Sequence, residues 1–203
     1  MGLKDSRGTV VFLMAHFERI SRSVLHEWVL WKLVQSRFRA PTGEEFVRTY
    51  VESPGATGIV PVRLDVNGRS QVVMVRQYRP AVDAHCLEIP AGMRDVAGED
   101  PQATALRELQ EETGFTSTDV RPLGQFLQSP GISNAEVQIY LAVGLTEVAM
   151  DRHGPEEDDM TVEVLLLDEA LRMIETGEIV NAMAVVGLLR ADQVLRAKSV
   201  AGK

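Results

Sequence analysis

Hydrophobic and polar positions change their period several times along the chain, and each change marks an element. Residues 28–52, WVLWKLVQSRFRAPTGEEFVRTYVE, place two segments rich in β-branched and aromatic residues around a Pro-Thr-Gly turn, which predicts a β-hairpin. Residues 58–66, the turn signal Asn67-Gly68 and residues 70–78 predict a second, clearer hairpin. Residues 87–90, 122–128, 136–146 and 161–167 predict further strands, and 168–176 and 181–197 two C-terminal helices. One more helix is expected over 101–113, where Asp100 and Pro101 form a cap and first turn and Gly114 a stop. Strands on both sides of a central helix predict an α/β class, an α/β/α sandwich around a mixed sheet. Residues 1–27 keep neither a helical nor a strand period, so no element is assigned there.

Composition refines this picture. The 203 residues, 45% hydrophobic and 25% charged, suffice for a sizeable core. Two parts are expected: an N-terminal segment, 1–53, carrying the first hairpin, and a main domain over 54–203. An isolated hairpin buries too little to stand alone, so the first must pack on the main domain or on another subunit. The formal net charge of −8 argues against a general nucleic-acid or anionic-membrane binder. The apolar run TVVFLMA at 9–15 is too short to span a bilayer and lacks the pattern of a signal peptide. Cys86 is the only cysteine, which excludes an intrachain disulfide and favours a reducing, cytoplasmic setting. Its apolar surroundings read as a small buried side chain more readily than as a catalytic thiol.

The central helix carries the chemistry. At about 100° per residue, Glu108, Glu111 and Glu112 share one sector, while Leu106, Leu109 and Thr113 share an adjoining face suited to a sheet. Clustered carboxylates repel, and a divalent cation is the simplest compensation. Oxygen-only ligands select a hard ion, Mg²⁺ or Mn²⁺. Arg107, one turn before Glu111, is placed to pair with the cluster. A bare E-x-x-E-E is also the pattern of a solvated helix face, so the surrounding residues decide.

Those residues are Gly92, then Glu99, then after seven positions RELQEETGF from Arg107 to Phe115. The string resembles the Nudix box, with six residues between Gly92 and Glu99 where the usual box has five. The form is similar to that of bacterial ADP-ribose pyrophosphatases. The resemblance implies the Nudix fold and Mg²⁺-dependent (or Mn²⁺-dependent) hydrolysis of ADP-ribose to AMP and ribose 5-phosphate. Metal ligation is implied for Glu108, Glu111, Glu112 and the Ala91 carbonyl, with Glu99 in support and Arg107 fixing the geometry. VRQYRP followed by LEIPAG resembles the family's approach to the box and implies substrate contacts from Arg79 and Glu88. Arg79 also has a donor fork that matches phosphate. Glu136, after Pro130-Gly131, resembles the segment beyond the box. Arg48 resembles a position that reaches the partner subunit's substrate in intertwined homodimers. The polar loop DRHGPEEDDM at 151–160 resembles the place of the catalytic base, implied to be Glu156 or Glu157, with His153 as a competing base because its ordinary pKa lies near neutrality. Two alternatives stand beside this: a nucleotide-sugar pyrophosphatase for ADP-glucose or GDP-mannose, and a Nudix-like regulator without turnover.

Overall fold

The computed structural model describes residues 2–4, 10–12, 16–151 and 159–201. His153, Glu156 and Glu157 lie outside the described residues. Contacts divide the chain into two units, Met1–Ser53 with Gly131–Asn134, and Pro54–Pro130 with Ala135–Lys203.

In the first unit a short pair, β1 (Gly2–Lys4) and β2 (Val10–Phe12), accompanies an antiparallel sheet of β3 (Glu18–Trp28), β4 (Trp31–Arg39) and β5 (Glu45–Glu52). β4 and β5 are the expected hairpin, turned at Gly43, whose N–H donates to the Ala40 carbonyl at 2.9 Å. β3 lies almost wholly within residues 1–27, where the sequence shows no element. Its register slips between Arg19 and Ser21 and again between Val24 and His26. Each bulge switches the side that successive residues face, and every residue of the strand is exposed, so no period of two marks it in the sequence. Ile132 and Asn134 bracket Val51, accepting from its N–H at 2.8 Å and donating to its carbonyl at 3.3 Å.

The second unit is built on one mixed sheet. β6 (Ala56–Leu64) and β7 (Ser70–Arg79) form the Asn-Gly hairpin. Asp65 Oδ1 closes its turn by accepting from the N–H groups of Asn67 and Arg69, both at 2.8 Å. β8 (Ala84–Glu88) pairs with β7, and β9 (Ala91–Met93) with β6. After α1 (Pro101–Thr113) come β10 (Phe115–Thr116), β11 (Asp119–Leu127), β12 (Glu136–Val143), β13 (Thr146–Glu147) and β14 (Thr161–Leu166). β12 lies parallel to β6, and the other pairings of this sheet are antiparallel. The chain closes with α2 (Leu167–Thr176) and α3 (Ala182–Ala201).

The period of two along the central strands sorts the core into two layers. Ile59, Tyr140 and Ala142 point to one face and pack with Ala105 and Leu109 of α1. Val60, Val62, Ile139 and Leu141 point to the other and pack with Leu167, Ala170, Ala184 and Leu188. The expected α/β/α sandwich results. No helix among the described residues is long and apolar enough to cross a membrane.

Candidate active site

The site is assembled where β9 meets α1. The Asp100 side chain caps α1 by accepting from the Gln102 N–H at 2.9 Å, Pro101 occupies its first turn, and Gly114 ends it at φ 70°. These signals set the rotation of the helix, so that Thr104, Ala105, Leu109 and Thr113 are buried. Glu108 and Glu112 lie on the same side and are only 8% and 5% exposed. A solvated helix face is therefore excluded for these two carboxylates. Gly92 makes the arrangement possible: a β-carbon there would sit 2.0 Å from Glu108 Oε1 and 2.1 Å from its Cδ.

Arg107 provides the opposing charge. Its Nη1 lies 2.9 Å from both Glu108 Oε1 and Glu111 Oε2, and its Nε lies 3.5 Å from Glu99 Oε1. Burial acts to lower the Arg107 pKa, but the combined pull of Glu108, Glu99 and Glu111 outweighs it and raises the value above its ordinary one. Glu99 is held below the usual carboxylate range, first by the hydrogen bond that the Thr104 hydroxyl donates at 2.7 Å and then by Arg107, with burial opposing. Glu112 Oε2 accepts from the Ala91 N–H at 3.2 Å, which brings the Ala91 backbone beside the cluster.

The donor chemistry fits a hard divalent cation. All candidate ligands are oxygen, two carboxylates are buried, and the missing side chain at Gly92 lets the Glu108 carboxylate seat against β9. Among the described residues, no three His, Cys, Asp or Glu side chains converge at ligand distance, and the Arg107 guanidinium stands within the cluster.

The other expected residues fall as follows. Arg79 ends β7 and donates from Nε and Nη2 to Glu88 Oε1 and Oε2 at 2.9 and 2.7 Å, a bidentate pair in which Glu88 is 4% exposed. Glu88 leads through Ile89 and Pro90 into Ala91. Glu136 opens β12, where Gln138 Nε2 approaches it at 3.5 Å. Arg48 belongs to the first unit, where it donates to the Val47 carbonyl at 2.8 Å with its guanidinium 4.7 Å from the Phe46 ring centre. Two residues of this neighbourhood had no individual signal in the sequence. Thr104 holds Glu99 from within a helix read only for its charged face, and Thr57 lies in β6, a run that reads simply as a buried strand.

Comparison with known proteins agrees with this geometry. A family model described as NUDIX domain matches residues 52–185. The chain is 40% identical over 178 residues to an ADP-ribose pyrophosphatase of Mycobacterium tuberculosis, covering 88% of this chain and 84% of that protein. It is 33% identical over 169 residues to a methanol dehydrogenase activator of Bacillus methanolicus, covering 82% and 89%. A crystal structure of an ADP compounds hydrolase shares the fold at a TM-score of 0.76 and 18% identity, covering 90% of this chain and 95% of that one.

Proposed function

Because this chain belongs to the NUDIX domain family, we propose that it hydrolyses the pyrophosphate of ADP-ribose to AMP and ribose 5-phosphate with a divalent cation, Mg²⁺ or Mn²⁺. The observation that carries the reading is the pair of buried carboxylates, Glu108 and Glu112, set against Ala91 and Gly92. The substrate rests on the relative of 40% identity named an ADP-ribose pyrophosphatase.

Glu108, Glu112 and the Ala91 carbonyl would hold the cation, with Glu111 shared between it and Arg107. When bound there, a divalent cation neutralises pyrophosphate charge and acidifies water. Arg107 aligns Glu108 and Glu111 through ion pairs, and Thr104 aligns Glu99 through its hydrogen bond. Glu156 or Glu157 takes the proton of the attacking water, because the cluster carboxylates are weakened as bases once committed to a cation. Arg79 reaches phosphate with its orientation set by Glu88, Glu136 contributes a further substrate contact, and Arg48 reaches the substrate held by the partner subunit.

The protein acts as a homodimer in a reducing, cytoplasmic setting. Support for the dimer comes from β3, whose residues are exposed along its whole length and include Val24, Leu25 and Trp28. Sedimentation showing a monomer at working concentration would contradict this part.

The relative named a methanol dehydrogenase activator favours a second reading, a regulator that binds a nucleotide and acts on another protein. A nucleotide-sugar pyrophosphatase is the alternative within hydrolysis. Product identification with ADP-ribose, ADP-glucose and GDP-mannose at equal concentration separates the three. ADP-ribose turned over fastest supports the proposal, a preferred nucleotide sugar replaces it, and binding without turnover of any of them selects the regulator.

A further inference from the structure

Thr57 on β6 is fully buried, and its Oγ1 has no hydrogen-bond partner among the described residues. Buried hydroxyls are nearly always paired, so an orphan calls for a physical reason. Its surroundings follow from the register. Thr57 lies directly opposite Gly92 in the β6–β9 pair, and opposed residues of an antiparallel pair project to the same face with their β-carbons about 4.5–5.5 Å apart. Gly92 has no β-carbon, and the space one would take is filled by the Glu108 carboxylate. Ile59, two residues along β6 and so on the same face, packs with Ala105 and Leu109 of α1. The Thr57 hydroxyl therefore lies on the same buried face of the sheet as the Glu108 carboxylate. On its other flank, Gln138 has its carbonyl oxygen engaged by the Tyr140 hydroxyl at 3.1 Å. A carboxylate offers about four acceptor positions, so Glu108 can accept from Thr57 as well as from Arg107.

We propose that Thr57 is a positioning residue: its hydroxyl donates to the Glu108 carboxylate through one water and fixes the orientation in which that carboxylate holds a divalent cation. This rests on the cation reading given above. The test is titration of the intact apoprotein with Mn²⁺, followed calorimetrically, for wild type, Thr57→Val and Thr57→Ser, alongside thermal melts without metal. Thr57→Val keeps the shape and deletes the hydroxyl, and should weaken Mn²⁺ binding by about 10- to 100-fold, the usual effect of losing a partner behind a metal ligand. Thr57→Ser should restore most of that loss, and the metal-free melting temperature of the valine variant should be equal or higher. Thr57→Ala, which deletes the same hydroxyl, takes the place of the valine variant if that one does not fold. Valine binding Mn²⁺ as tightly as wild type, or serine failing to rescue, overturns the inference and leaves the cation reading intact. Wild type that binds no Mn²⁺ overturns the cation reading and this inference with it.

Discussion

Gly92→Ala is the smallest change that separates folding from function in this site. The added carbon would sit 2.0 Å from Glu108 Oε1, 2.1 Å from Cδ and 2.6 Å from Oε2, whereas ordinary contact begins at 3.4 Å. The carboxylate must therefore retreat by roughly 1.4 Å to reach normal van der Waals separation. Because it is the far end of a flexible side chain, the backbone can remain, and β9 keeps its three pairs with β6. The stability cost should be about 1 kcal/mol, at the low end for overpacking. Activity should suffer much more, since a displacement of about 1 Å in a positioned group costs on the order of a hundredfold in rate. Steady-state release of AMP from ADP-ribose, read beside a thermal melt, should show kcat about a hundredfold lower with KM nearly unchanged. A kcat within about threefold of wild type in a well-folded variant would refute the idea that the gap at Gly92 sets the position of Glu108.

Three further outcomes are expected. The Glu99 carboxyl is depressed below its unfolded value of about 4.3, so its stabilising contribution is present above that pH and is lost as pH falls through the folded value. Thr104→Val should flatten the acid-side fall in melting temperature below about pH 5, and a profile parallel to wild type would count against it. Val29 is β-branched at φ 46° in the β3–β4 turn, and Asn tolerates that region far better, so Val29→Asn should raise stability by roughly 1 kcal/mol. An unchanged melting temperature would show that no strain resides there. One of Glu156→Gln and Glu157→Gln, but not both, should lower kcat by roughly 10²–10⁴-fold with KM little changed, and His153→Ala should matter less. Full activity in all three would remove the loop from the mechanism.

The contrast between Pro101–Thr113 and Glu18–Trp28 shows what this sequence makes legible. The helix announces itself through local signals, Asp100 and Pro101 at one end and Gly114 at the other, and its ligand face follows from the 3.6-residue period. The strand is interrupted by two bulges, and each hides the alternation that would identify it. Side-chain partners across strands are hidden for a different reason. The Arg79–Glu88 pair depends on the β7–β8 register, and Thr57 facing Gly92 on the β6–β9 register, neither of which local sequence sets. The pairing of Arg107 with Glu111 follows from i,i+4 spacing, but its approach to Glu99 depends on how the loop before α1 folds back.

On the proposed function, buried carboxylates on α1 hold a divalent cation needed to cleave a nucleoside diphosphate. The most direct measurement is AMP formation from ADP-ribose by metal-stripped protein, in excess chelator and then after Mg²⁺ is restored, with Glu108→Gln run in parallel. Wild type should be silent in chelator and recover with Mg²⁺, and the glutamine variant should stay at least roughly a hundredfold slower after restoration. AMP released at full rate in excess chelator, or at the wild-type rate by Glu108→Gln, would contradict the claim.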